Sequence, residues 1–308
     1  MKYYIEDSNR RIKMSQQKFV DYCEFEYYAR CREIAEDVAN NVDKKPVVII
    51  SGPSGSGKTT TAIVIEHFLL DWGYKAHTIS LDDYYRDLTE EELRLSKIGK
   101  YDLETPERID DEFLNSQLCD ILLCKPVDMP KYNFEISKRE KSGWRFQREK
   151  REIIIFEGTH ALNPNVIKIG EKNIQTCYVS IRSSISNKDV TLTSPTIRLA
   201  RRVLRDFINR GHSIEQTITI LDKVNDGENK YIKPYMERCT HSIDTFIPYE
   251  LNLYKTLLFD ELQKYGDHPE VNKLLSILSD AQGLNPELIP NNSLMREFIG
   301  GSVLKYWK

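Results

Sequence analysis

"GPSGSGKTT", Gly52 to Thr60, is the stretch that decides how this chain folds. It fits the pattern G-x-x-x-x-G-K-[ST] through Gly52, Gly57, Lys58 and Thr59. A chance match is on the order of 0.01 per chain of this length, so the pattern itself carries weight. The apolar run "VVII" precedes it and "TTTAIVIEHFLL" follows, which predicts a strand, a tight loop and a helix. In that setting the backbone N–H groups of Gly52, Ser54, Gly55, Ser56 and Gly57 wrap a phosphate chain. Glycine permits both the turn and the close approach, and the helix N-terminus adds its dipole. Lys58 is expected to reach the β and γ phosphates, Thr59 to ligate Mg²⁺, and Thr60 to line the same cradle. The stretch reads as a site for a purine nucleoside triphosphate.

Working outward, the pattern around the loop is that of an α/β domain. Short apolar runs at Val47–Ser51, Ala76–Leu81, Glu152–Phe156, Gln175–Ser180 and Ile243–Ile247 alternate with helical patterns such as Thr59–Trp72, Asp111–Cys124 and Pro195–Asn209. Continuously apolar strands separated by helices predict a parallel sheet covered on both faces. "KPVDMPKYNFEISKREKSGWRFQREK" interrupts this as a charged, aromatic β-hairpin over 126–150. Residues 1–45 read as a helical extension, 46–265 as the P-loop domain with an Arg-rich lid at 195–240, and 266–308 as a helical C-terminal extension packed on it. In the first of these, Ile34, Ala35, Val38 and Ala39 fall on one helical stripe.

Composition limits the class of partner. The 308 residues are 40% hydrophobic and 30% charged, with Lys+Arg 44 against Asp+Glu 47, a net charge of −3. That balance argues against nucleic acid or an anionic membrane as partner. The six cysteines show no C-x-x-C pair or metal-ligand spacing, as expected of reduced thiols in a cytoplasmic protein. "MKYYIEDSNRRIKM" has no apolar signal core, and no run approaches bilayer length. The aromatic N-terminal helix and the C-terminal tail each suit either internal packing or an interface in a homo-oligomer.

Three further features carry chemistry. "EIIIFEGTHALNP" ends a strand in Glu157-Gly158, where an acid can orient a magnesium–water shell; for His160, a loop hydrogen bond and a substrate contact are equal readings. Arg198, Arg201, Arg202 and Arg205 fall within about a 100° arc of one predicted helix, suited to an anion-binding lid that neutralises a triphosphate. "SNKDV" misses the guanine motif N-K-x-D by one position, and no Ser-Gly-Gly transporter signature occurs. Finally "SLDDYYRD" sets Asp82 and Asp83 at the carboxyl end of a predicted parallel strand, where such sheets bind ligands. Periodicity does not choose between the two.

With these pieces placed, the chain resembles the uridine kinase / phosphoribulokinase family of P-loop kinases. The segments that carry the resemblance are "SGPSGSGKTT", "ISLDDYYRD", "YDLETPERID", "MPKYNFEISKRE", "IIIFEGTHALNP", "RLARRVLRDFINRGHSIEQTI" and "GENKYIKPYMERCTHSIDTFIPYEL", in unbroken order over about residues 20–306. The tail "IPNNSLMREFIGGS" is similar to the ending of the longer bacterial-type uridine-kinase-like proteins. The resemblance implies a nucleoside-monophosphate-kinase-like α/β fold, ATP and Mg²⁺ as cofactors, and a small-molecule acceptor. It picks Asp82 as the base for the acceptor hydroxyl, matches Tyr85, Glu104, Tyr132 and Arg139 to the acceptor wall, and matches Arg201, Arg205 and Arg210 to lid and phosphate contacts. Tyr84 is left to packing and Asp83 to a turn or a hydrogen bond. Three departures bear on the acceptor: Asn133 stands within Tyr-Asp-Phe, Ser137 at a base-contacting histidine, and His212 at an arginine. The expected activity is therefore phosphoryl transfer from ATP to a uridine- or cytidine-like hydroxyl. The rivals are a kinase of a non-nucleoside alcohol or sugar, and a nucleotide-binding regulator without transfer activity.

Overall fold

The computed structural model describes residues 1–304 apart from Arg210 and His212. Its centre is a five-stranded parallel sheet built from β2 (Val47–Ser51), β3 (Ala76–Ser80), β6 (Ile153–Glu157), β7 (Ile174–Ser180) and β10 (His241–Asp244), in the order β10-β7-β2-β6-β3. This is the P-loop NTPase α/β fold. Alternate residues of each strand enter two separate cores. Val48, Ile50, Ile153, Ile155, Cys177 and Val179 face one, and Val47, Ile49, Ile154, Phe156 and Tyr178 face the other. Burial on both sides explains why these strands read as unbroken apolar runs.

The first core is closed by α1 (Ile5–Met14), α2 (Gln16–Asn41), α3 (Lys58–Asp71), α6 (Ser194–Asn209), α9 (Glu250–Leu262) and α10 (Pro269–Asp280), together with the short α11 (Arg296–Ile299). Ser15 separates α1 from α2 because its hydroxyl accepts from the Lys18 N–H, an N-cap at the join. α5 (Asp111–Leu122) supplies Leu114, Leu118 and Ile121 to the second core. α4 (Glu90–Lys97), α7 (Ile214–Thr219) and α8 (Leu221–Tyr231) lie in the connecting segments. No helix among the described residues is long and apolar enough to cross a membrane.

The expected hairpin is β4 (Val127–Asn133) against β5 (Lys138–Phe146), antiparallel. Asn133 is used to build its turn: the side-chain oxygen accepts from the N–H groups of Glu135 at 3.1 Å and Ile136 at 3.4 Å. Ser137 adopts φ +53 in the same turn, and its carbonyl accepts from the Leu88 N–H. A small second sheet, β1 (Lys2–Tyr4) parallel to β8 (Ser184–Ser186), with β9 (Thr191–Leu192), has no counterpart in the periodicity reading. Strands of two or three residues are too short to show a period. The last strand of the main sheet stops at Asp244, earlier than predicted. Its carboxylate accepts from the N–H groups of Arg182 and Phe246, both at 3.0 Å, and turns the chain out of the sheet.

Candidate active site

The register of the sheet assembles the site. Ser80 pairs with Glu157, and Glu157 with Ile50, so the exits of β3, β6 and β2 lie side by side. The phosphate-loop sequence follows β2, and Asp82 follows β3. Gly158 lets two of these exits touch. A side chain there would put its Cβ 2.7 Å from the Cβ of Leu81, so only glycine allows the Asp82 corner to press against the end of β6.

The loop itself is held from behind. The Ser54 carbonyl accepts from Arg198 Nη1 at 2.9 Å, and the Ser56 carbonyl from Thr245 Oγ1 at 2.6 Å. Arg201 Nη1 lies 3.4 Å from the carbonyls of both Gly55 and Ser56. Gly57, at φ +83, opens α3 with no side-chain cap. The first N–H groups of the helix therefore have no intrahelical acceptor and favour an anion. The buried Ser56 hydroxyl has no partner and lies against Gly52, where a Cβ would stand 2.8 Å from it. α2 adds a brace: Tyr27 hydrogen-bonds Thr61 at 2.9 Å, and Thr61 donates to the Gly57 carbonyl at 2.8 Å.

The arginines divide in a way that differs from the expected lid. Arg198, Arg201 and Arg202 are 0%, 0% and 2% exposed, so this part of α6 lies inside the body of the protein and not on a surface flap. Arg201 is not turned toward a phosphate chain. Its Nε and Nη2 grip Glu250 at 2.8 and 3.1 Å, and Nη2 also donates to the Thr245 carbonyl at 2.7 Å. Opposite charge and bidentate geometry fix it as a strut beneath the loop. Arg198 is likewise paired, with Glu228. Arg205 bonds Asp206 at 3.2 Å and stays only slightly exposed. Arg202 is the exception: none of its three guanidinium nitrogens has a partner. Burial, then the repulsion of Arg198 and Arg205, pull its pKa down from 12.5 to about 10. The stripe pointed to this face of the helix, but spacing could not tell adjacent arginines apart. Arg210 lies outside the described residues, as does His212.

Acids and aromatics face the cradle. Burial raises the Glu157 carboxyl to about 7, against the lowering pull of Lys58, and its Oε2 has no partner. Glu104 is also raised by burial, opposed by Lys58 and Arg202. His160 is 4% exposed, and burial lowers its pKa to about 4, so it is neutral at pH 7. The charge of Asp82 raises the pKa values of Glu157, Glu104 and His160, a smaller effect than the burial of each. The Tyr85 phenol is held well above its usual range, first by burial and then by the charge of Asp82. Asp83 turns away to accept from the Tyr132 N–H at 3.1 Å, and Tyr84 is buried with its hydroxyl on Gln117 at 2.9 Å.

Beyond Asp82 the rings of Tyr85, Tyr132 and Phe134 meet edge to face at 5.1 to 6.3 Å between centroids. Arg108, which the motif reading did not single out, stacks on Tyr85 at 4.0 Å. Tyr132 presents a buried hydroxyl without a partner. Arg139 reaches Asp110 at 2.9 Å and keeps Nη1 unpaired. α8 packs on this side: Tyr231 donates to Asp102 at 2.9 Å, and Gly227 packs against the Glu104 side chain. Thr59 and Glu157 offer hard oxygen donors of the kind Mg²⁺ takes, and Glu157 Oε2 is the orphaned acceptor such an ion would satisfy. No group of three or more His, Cys, Asp or Glu side chains forms a metal cage among the described residues.

The C-terminal segment also reaches the loop. Thr60 donates to Glu297 at 2.5 Å, and Leu294 lies against Gly57.

A uridine kinase of Anoxybacillus flavithermus is 30% identical over 194 residues, covering 62% of this chain and 82% of that protein. Uridine kinase-like protein 4 of Arabidopsis thaliana is 31% identical over 199 residues, 64% of this chain, and the match spans only 36% of that longer protein. Among solved structures, one from Silicibacter sp. TM1040, named for a fructose transport system kinase, superposes with TM-score 0.51 at 17% identity. It covers 69% of this chain and 98% of its own, a likeness of fold alone. The profile of the Phosphoribulokinase / Uridine kinase family matches residues 47–248, which hold the phosphate loop, Asp82, Glu157 and the arginine helix, and the chain belongs to that family of P-loop kinases.

Proposed function

We propose that this protein transfers the γ-phosphoryl group of ATP to a hydroxyl of a uridine- or cytidine-like nucleoside. The observation that carries the reading is the setting of Asp82. Asp82 follows β3 beside the exits of β2 and β6, next to Tyr85, whose ring meets Tyr132 and Phe134 edge to face, and its charge reaches Glu157, Glu104 and His160. The proposed division of labour follows from this. Lys58, the N–H groups at the start of α3 and Arg202 hold the phosphate chain. Arg202 replaces Arg201 in this role, because Arg201 is committed to Glu250. Arg205 stands beside it.

Asp82 orients the acceptor hydroxyl and takes its proton as the new P–O bond forms. Thr59 and Glu157 would hold Mg²⁺, which when bound neutralises charge on the phosphates. Tyr85, Tyr132 and Phe134 stack the acceptor, with Glu104, Arg139 and His160 as polar contacts; neutral His160 donates or accepts without adding charge. The docking of Tyr231 and Gly227 on the Asp102–Glu104 loop excludes water that would otherwise compete. The six cysteines are unpaired, which supports a cytoplasmic setting.

A second acceptor class is favoured by one observation. Asn133 and Ser137 are spent on the hairpin turn, so two positions tied to base recognition are occupied in building the fold. A small alcohol or sugar would not need them. A coupled assay of ADP release with pyrimidine and purine nucleosides, pentoses and hydroxy acids separates the two. Asp82→Asn should lower kcat at least about 10²-fold while ATP still binds. Undiminished turnover in that variant would remove Asp82 from the mechanism. ATP binding without transfer to any acceptor would favour a regulator.

A further inference from the structure

The C-terminal segment delivers a carboxylate to the phosphate loop on a rigid support. Leu294, Met295 and Phe298 are fully buried. Leu294 lies so close to Gly57 that a Cβ there would stand 2.6 Å from Leu294 Cδ1. Ser293 donates to the buried Glu24 at 2.7 Å, and the ring of Phe298 lies 5.2 Å from the Arg201 guanidinium. Arg296 holds the turn together through the carbonyls of Ile289 at 2.5 Å and Pro290 at 3.4 Å. Between these anchors Glu297 accepts a hydrogen bond from the hydroxyl of Thr60, in the first turn of α3, at 2.5 Å. Its charge is also one of those that push the Glu157 carboxyl upward.

Two consequences follow for an anion entering the cradle. The Thr60 hydroxyl already serves a carboxylate, and a negative charge stands beside groups arranged to receive phosphate. Both oppose a bare polyphosphate, and both are relieved when a divalent cation has neutralised part of the incoming charge. We propose that Glu297 is a specificity-determining residue of the nucleotide site, which weakens binding of metal-free polyphosphates and so favours the cation-complexed triphosphate. The proposal rests on the reading of Gly52–Thr60 as a nucleotide cradle.

Calorimetry on the full chain tests it with three probes: ATP in excess EDTA, pyrophosphate in excess EDTA, and ATP with saturating Mg²⁺. Glu297→Gln keeps an acceptor for Thr60 and removes the charge. It should bind the two metal-free probes roughly tenfold tighter and Mg·ATP by a clearly smaller factor. Glu297→Asp retains the charge and should stay within about twofold of wild type. If Glu297→Gln does not fold, Glu297→Ala carries the same expectation. Unchanged affinity in the uncharged variant overturns the inference. Weaker binding overturns it too, since the carboxylate would then be a contact that holds the nucleotide. If wild type binds none of the three probes, the cradle reading fails and the inference falls with it.

Discussion

Replacing Arg201 and Arg202 in turn with methionine should give opposite results, although the two residues are neighbours on one helix. Methionine keeps much of the aliphatic stem and removes the charge. Arg201→Met leaves Glu250 buried at 0% exposure without its cation and strips the Thr245 carbonyl of a 2.7 Å donor. Breaking a buried pair from one side costs about 3–5 kcal/mol. A chain of this size has an unfolding entropy near 0.65 kcal/mol/K, so the melting temperature should fall by about 5–8 °C. Arg202→Met removes a guanidinium that is 2% exposed and has no partner. Its pKa is lowered from 12.5 to about 10, so the charged form carries a cost of roughly 3 kcal/mol. The variant should melt at the wild-type temperature or up to about 5 °C above it, yet lose at least about 10²-fold in kcat. Thermal unfolding without ligand and ADP release with saturating ATP are the two assays. If Arg201→Met melts normally while turnover disappears, or Arg202→Met unfolds as early as Arg201→Met, the division between strut and phosphate contact is wrong.

Glu157 should make the ligand-free protein less stable as pH rises. Its carboxyl is raised from 4.5 to about 7, so the folded state binds more protons than the unfolded one across that window. The associated stability is full below pH 4.5, lost through pH 7, and amounts to about 3 kcal/mol; Glu157→Gln should therefore melt higher than wild type at pH 8 and lose most of that advantage at pH 5. Equal differences at both pH values would refute the buried-carboxylate account. Gly158→Ala should push Leu81, and with it Asp82, off the end of β6, because the new Cβ would sit 2.7 Å from the Leu81 Cβ. A shift near 1 Å costs about 10²-fold in turnover, while calorimetric affinity for ATP stays unchanged; a loss of ATP binding with kcat preserved would contradict the geometry.

The sheet and its loop were legible because their physics is local. Residues 47–50 and 153–156 are apolar without alternation since both faces are covered, and Gly57 and Lys58 are set by the needs of a helix N-terminus. The placement of Asp83 as a hydrogen-bonding residue and of Tyr84 in packing also followed from the motif and its likeness. What stayed hidden depended on partners distant in sequence. Arg201 and Arg202 share one arc, and only Glu250, 49 residues on, separates them. Asn133 looked like a departure in a recognition motif, whereas its amide oxygen terminates a hairpin. Glu297 belongs to a tail whose polar residues show no period, so nothing local assigned it to Thr60.

The braces on the phosphate loop also fix an order of events during synthesis. Thr60 and Glu297 stand 237 positions apart. At ribosomal speeds of about 5–20 residues per second, the loop waits roughly 10 to 50 s between leaving the ribosome and meeting its last brace. During that interval α2 can already supply Tyr27, but Leu294 and Glu297 do not yet exist as a support. A nascent chain would hold an unfinished cradle, and nucleotide present in the cell could act on it as a folding ligand.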